Sequence, residues 1–263
     1  MKVVVIGGTG LIGSKVVAGL TDDGHEAVPA SPRLGINTLT GEGLAAALEG
    51  ASMVVDVSNS PNFEYVTALT FFERSTHNLL AAEAAARVGH HVALSVVGTR
   101  ALSQGADPEA TTAGYFRAKL MQEALVQASG IPYSIVHATQ FFEFMKSIAD
   151  EATDGTTVRV PSVAFQPIAA DDVASMVRRT ATGAPLNGIV EIGGPERVRF
   201  DEAIRRALAS SDDPREVVTD PDGRYYGIPV GEDTLVPDER ATRGEVRLDD
   251  WLSRSAAAMT AAV

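Results

Sequence analysis

Tyr115 and Lys119 stand four residues apart in AGYFRAKLMQEAL (113–125), within a stretch (112–129) that reads as a helix. On a helix, side chains at i and i+4 lie one turn apart on the same side and can meet. A free tyrosine titrates near ~10, too high for easy proton exchange at neutral pH, and a neighbouring ammonium favours the phenolate and lowers that value. Such a pair could protonate an oxygen that gains charge as a carbonyl is reduced. The competing reading is two polar residues on a solvated face. Lysine is scarce, limited to Lys2, Lys15, Lys119 and Lys146, so the pairing stands out.

A proton donor of this kind works beside an electron donor, and the first thirty residues supply a place for one. VVVIGGTGLIGSKVVAGLTDDGHEAV reads as a buried strand, a glycine turn, a helix and a second strand. Gly7, Gly10 and Gly13 lie three apart, a departure from the usual G-x-G-x-x-G spacing of dinucleotide turns. The physical needs are the same: a tight turn after the strand, backbone close to a pyrophosphate, and a helix packed on the sheet. The helix start at Leu11 and Ile12 offers free N–H groups and a positive dipole end, and Thr9 can add a hydroxyl. The second strand then runs into SPRLG, with Ser31 and Arg33 where an NAD site usually carries an acid. A hydroxyl and a guanidinium suit a 2′-phosphate, so NADP(H) is the preferred cofactor, with NAD(H) second.

These residues need a scaffold, and the pattern provides one. Strands are predicted at 2–6, 26–30, 53–57, 91–97 and 133–138, and helices at 11–23, 40–49, 65–88 and 112–129. In the long helix, Leu69, Phe72, Thr76, Leu79 and Leu80 recur at three and four residues and face a sheet. Alternation of strand and helix implies an α/β fold, a Rossmann-type doubly wound parallel sheet covered on both faces. After about residue 140 the rhythm breaks. A short strand, a Pro-marked loop, a helix opened by Asp171 or Asp172 as N-cap, and an irregular Pro-, Gly- and Asp-rich tail precede a last helix near 248–261. The expected division is a dinucleotide-binding domain at 1–150 and a smaller substrate lobe at 151–263. Part of 163–182 is expected to pack back on the first domain.

Composition excludes other classes. Thirty-four acidic against 22 basic residues give a net charge of −12, which disfavours nucleic acid as a partner. There is no cysteine, so thiolate metal sites and cysteine nucleophiles are out, and the five histidines show no ligand spacing. No metal is expected. No segment approaches 18 consecutive apolar residues and MKVVVIGG is too short for a signal peptide, so the expectation is no membrane and a cytoplasmic protein acting on a small molecule.

With these motifs in hand, the chain resembles the NmrA-like atypical short-chain dehydrogenase/reductase proteins over nearly its whole length. GGTGLIG (7–13), TGEGLAAALEGASMVVDVSN, ALSVVG (93–98), YFRAK (115–119), GIPYSIVHATQFFEF (130–144), QPIAADDVASMV and EIGGPE carry the resemblance. It implies that Asn37 approaches the adenine, where relatives often carry Asp. It also implies that Ser58, Asn59 and Thr139 to Phe141 line the nucleotide and nicotinamide, with Phe141, Phe142, Phe144 and Met145 near the pocket mouth. Ser95 is the best match for a third catalytic hydroxyl, with Ser103 behind it. The implied activity is NADPH-dependent reduction of a carbonyl or quinone of a small aromatic molecule, with Tyr115 as proton donor. Lys119 would tune it and grip the nicotinamide ribose. The alternatives are a nucleotide-sensing regulator without catalysis, or a partner to an oxygenase in aromatic metabolism.

Overall fold

In the computed structural model, residues 1–105 and 111–261 are described. KVVVI forms strand β1 (Lys2–Ile6), and its apolar residues divide between two cores. Val3 and Val5 join one buried cluster, Val4 and Ile6 another, because successive strand side chains point to opposite faces and both faces are covered. Helix α1 (Leu11–Asp22) and strand β2 (Glu26–Ala30) follow, then α2 (Leu44–Leu48), β3 (Met53–Asp56), α3 (Tyr65–Ala86), β4 (His91–Val96), α4 (Thr99–Leu102), α5 (Thr111–Ala128) and β5 (Tyr133–Ala138). The C-terminal part holds α6 (Met145–Glu151), β6 (Thr153–Asp154), β7 (Thr157–Val160), β8 (Ala164–Phe165), α7 (Ala170–Thr182) and β9 (Gly188–Gly193). It closes with β10 (Val198–Arg199), α8 (Phe200–Ala209), β11 (Glu216–Thr219), β12 (Thr242–Arg243) and α9 (Leu248–Ala261).

The central sheet has seven strands in the order β12-β9-β5-β4-β3-β1-β2, every neighbouring pair parallel. The chain leaves β1 for β2 on one side and returns to β3 on the other. That reversal opens a crevice at the carboxyl ends of β1 and β3, the place where open α/β sheets bind ligands.

Three expectations need correction. The division at residue 150 does not divide the sheet: β9 and β12, both beyond it, complete the sheet. A sheet edge left bare at β5 would expose its row of backbone polar groups, and β9 covers it. Helix 40–49 shortens to α2 because Gly41 and Gly43 take φ of +80° and +72°. The N-cap of α7 is Ala169, so Asp171 and Asp172 occupy its first turn instead, where they favour the helix dipole. The Glu143 carboxylate, from outside the helix, accepts the Ala170 N–H at 3.2 Å.

The remaining C-terminal elements form the smaller lobe. Its sheets β11-β7-β6 and β10-β8 pack with α6, α8 and α9 around Phe142, Phe165, Phe200 and Leu248.

Candidate active site

A cavity of about 770 Å³ runs from the glycine turn, past the carboxyl ends of β3, β4 and β5, to the smaller lobe. At one end its wall is backbone. Gly7 adopts φ +77°, and a Cβ there would come within 2.9 Å of the Ser58 backbone. Gly13 stands behind the wall, where a Cβ would strike the Gly7 carbonyl oxygen at 2.1 Å, so its role is close packing of α1 on the turn. Gly10 caps α1 with no side-chain hydrogen bond, and no acid sits in the first turn. The opening N–H groups therefore point their partial positive charge at the cavity beside Thr9, Leu11 and Ile12.

The wall carries two buried hydroxyls with no partner among the described residues, Ser31 Oγ after β2 and Thr139 Oγ1 after β5. Orphaned buried hydroxyls beside a cradle with no room for side chains are what a dinucleotide would satisfy, so the residues fit that group. Asn37 is also on the wall, its Oδ1 accepting the Leu39 N–H at 2.9 Å. Ser58 donates its hydroxyl to Asp56 at 2.6 Å. No carboxylate lines the cavity among the described residues. Arg33 is exposed on the turn after Ser31, off the wall and, among the described residues, without a side-chain hydrogen bond or ion pair.

Tyr115, Lys119 and Ser95 all reach the wall, but they do not form the triad expected of them. The Tyr115 hydroxyl donates to Asn59 Oδ1 at 3.1 Å, and its ring sits among Phe63, Phe72 and Phe116, with centroids 4.9, 5.8 and 5.3 Å away. Burial in that cage pushes the phenol pKa up, which the Asn59 contact only partly opposes. Lys119 does not reverse the shift. Its Nζ donates to the Leu94 carbonyl at 2.8 Å and to Gln122 Oε1 at 2.5 Å, and lies 4.6 Å from the Phe72 ring centre. Burial pulls Lys119 down to about 8, against the pull of Asp56 and Glu123. The expected tuning of Tyr115 by Lys119 is thus absent in this arrangement.

Ser95 likewise departs from expectation. Its single hydroxyl proton goes to Glu123 Oε1 at 2.5 Å, so it faces the cavity as an acceptor rather than a donor. Ser103 donates to the Arg100 carbonyl and is off the wall. Behind Ser95 lies a cluster that the sequence did not announce. Ser95, His137 and Glu191 are in register on β4, β5 and β9, and Glu123 reaches down from α5. His137 Nε2 is 3.0 Å from Glu123 and Nδ1 3.8 Å from Glu191. Burial lowers the His137 pKa, but the two carboxylates prevail and the net shift is upward.

The far end of the cavity is aromatic. Phe141 and Phe144 stack at 5.4 Å, Tyr225 and Tyr226 meet edge-on at 4.9 Å, and Phe63 lies 6.1 Å from Tyr226. Of the four residues after β5 expected near the mouth, Phe141 and Phe144 line it, whereas Phe142 and Met145 are buried in the lobe core. Tyr225 and Tyr226 escaped the sequence reading because they sit in an irregular stretch; their adjacency before Gly227 was the one available sign. Among the described residues, no group of three or more His, Asp or Glu is placed to hold a metal, and no helix is long and apolar enough to cross a membrane.

A switch-point crevice, a glycine turn feeding a helix start, and an aromatic end beneath a second lobe define a Rossmann-type dinucleotide-binding protein. The chain belongs to the NAD(P)H-binding family, whose sequence profile matches residues 7–182, in keeping with its resemblance to the NmrA-like short-chain dehydrogenase/reductase proteins. No curated protein sequence matches it. Among solved structures, MoeE5 in complex with UDP-glucose and NAD superposes with a TM-score of 0.73 at 17% identity, covering 100% of this chain and 99% of that one. Thermus thermophilus UDP-glucose 4-epimerase in complex with NAD gives 0.72 at 17% identity, covering 100% of both chains. A short-chain dehydrogenase/reductase superfamily protein from Agrobacterium tumefaciens with bound NAD gives 0.72 at 16%, covering 99% and 97%. These likenesses establish the shared fold.

Proposed function

We propose that the protein is an NADPH-dependent oxidoreductase that reduces a carbonyl or quinone carbon of a small aromatic molecule. The observation that carries this reading is Tyr115: a phenol on the cavity wall, between the dinucleotide end and the aromatic end, that burial keeps protonated. When bound, the reduced dinucleotide supplies a hydride. Tyr115 is protonated at neutral pH and so holds a proton for the oxygen that gains charge, although its raised pKa makes it a weaker acid than a free phenol. The aromatic wall excludes water and favours flat rings.

The nucleotide sugars bound by MoeE5 fit this cavity poorly. A second diphosphate calls for basic side chains, and Lys119, buried and committed, is the one cation on the wall among the described residues. NADPH over NADH is supported by Ser31, the free Arg33 nearby, and the lack of a carboxylate for a ribose hydroxyl. The Leu94 carbonyl and Gln122 take two of the three N–H donors of Lys119, which leaves one for the nicotinamide ribose.

That commitment, with the Ser95 proton turned to Glu123, favours a second reading: a sensor that binds the dinucleotide without turning it over. A panel of quinones, aryl ketones, aldehydes and small aliphatic ketones decides between them. Reductase activity predicts NADPH consumption that saturates in acceptor, fastest with aromatic acceptors. Background rates across the panel, with NADPH binding confirmed, would establish the sensor.

A further inference from the structure

Gln140 follows directly on Thr139 after β5, lines the cavity and is only 5% exposed. Its backbone carbonyl accepts the Ile168 N–H at 2.9 Å. Its side chain is another matter: among the described residues, neither Nε2 nor Oε1 has a hydrogen-bond partner. The Tyr225 hydroxyl is near enough for the amide to oppose part of the rise that burial imposes on that phenol, but no hydrogen bond joins them. Buried amides are rarely left bare at both ends, because each unpaired atom keeps its full desolvation cost.

The surroundings limit what can satisfy it. Phe141, Phe144, Tyr225 and Tyr226 enclose this end of the cavity, so the ligand must present a flat apolar body. Tyr226 holds φ +49°, an uncommon conformation for a non-glycine residue, which marks this wall as a place where tertiary contacts override local preference. On the edge facing Gln140 the ligand must offer both an acceptor for Nε2 and a donor for Oε1. A simple quinone carries acceptors alone and would leave Oε1 bare. A ring that also bears a hydroxyl, too far from the carbonyl to donate to it internally, carries both.

We infer that Gln140 reads a hydroxyl–carbonyl pair on the substrate ring, which makes hydroxyquinones or hydroxyaryl ketones the preferred acceptors. This rests on the reductase reading for its context, but its test does not need turnover. The nicotinamide carboxamide, with its carbonyl and amino group, offers the same acceptor and donor and is the other source of this chemistry.

The test titrates acetophenone and 3′-hydroxyacetophenone, which differ by one hydroxyl that cannot reach the carbonyl, into protein saturated with NADP⁺, where no hydride is available. The hydroxylated ketone should bind about tenfold tighter or better, since a site built for a hydroxyl rejects the analogue lacking it. Gln140→Leu should bring the two affinities within about twofold. It should keep the NADPH affinity and melt no earlier, because an apolar side chain replaces an unpaired amide. Gln140→Met, unbranched and of similar length, gives the same readout if the leucine variant folds poorly. Equal binding of the two ketones by the unmutated protein would overturn the inference. So would an undiminished preference for the hydroxylated ketone in the variants, or a variant whose loss falls on NADPH binding, which would assign the amide to the carboxamide. Tight, selective binding of the hydroxylated ketone without turnover would refute the reductase reading and leave this one standing.

Discussion

The two ends of the cavity are built on different principles. The dinucleotide end is made of short contiguous pieces of chain, and its decisive feature is the absence of side chains: a Cβ at Gly7 meets the Ser58 backbone. The aromatic end is made of side chains that arrive from far apart: Phe63 before α3, Phe141 and Phe144 after β5, and Tyr225 and Tyr226 from the smaller lobe. A cradle for phosphates needs backbone brought close, which local spacing can specify. A pocket for a particular ring needs several surfaces to converge, which only the finished fold can supply.

If that contrast holds, damage at each end should have its own signature. The largest effect is expected from Gly7→Val, which combines a disfavoured positive φ with the clash at Ser58. NADPH affinity, measured by calorimetry, should fall ~100-fold or more. A variant that binds NADPH normally would break the account of the backbone end.

Tyr115→Phe should act oppositely. Loss of the phenolic proton should lower kcat by ~100-fold or more, with NADPH affinity within about twofold of the parent. An unchanged kcat would return Tyr115 to the role of a buried aromatic that happens to bond Asn59.

Arg33→Ala should sharpen the nucleotide end further. NADPH binding should weaken about tenfold while NADH binding stays put, because a guanidinium can engage a 2′-phosphate and has nothing to do for a hydroxyl. Parallel titrations of both nucleotides check it; equal losses would point to general electrostatics.

The smallest effect concerns the boundary between the ends. Lys119 releases its proton at about 8 in the folded protein, against a usual value of 10.5. Between those values the unfolded chain binds more protons at this residue, so its contribution makes stability rise with pH across that window. Denaturant titrations at pH 8 and 10 should show that component in the parent and its loss in Lys119→Met.

The same contrast explains what could be read from residue order. Strands β1, β2 and β5 fall at the bounds that their apolar runs indicate, and the turn at Gly7–Gly13 lies between strand and helix as its composition requires. Strand β12 is two residues long and joins the sheet only through pairing with β9, so no periodicity could reveal it. Tyr115 and Lys119 were identified by type and spacing, and both reach the cavity. Their relationship was not legible: the spacing says they can meet, but Leu94 and Gln122 claim the ammonium and Asn59 the phenol. Ser95 teaches the same point, because its partner Glu123 lies 28 residues away in sequence and on another element.

The central claim is that this cavity moves a hydride from NADPH to an aromatic carbonyl carbon with a proton from Tyr115. The direct measurement uses NADPH deuterated at the hydride-donating carbon, an aryl ketone acceptor, and mass spectrometry of the product. The account predicts an alcohol carrying deuterium on its carbinol carbon, formed by the parent at ~1 s⁻¹ or more and by Tyr115→Phe at least ~100-fold more slowly. Saturable NADPH binding with no deuterated alcohol, from hydroxylated aryl ketones as well as plain ones, would contradict it.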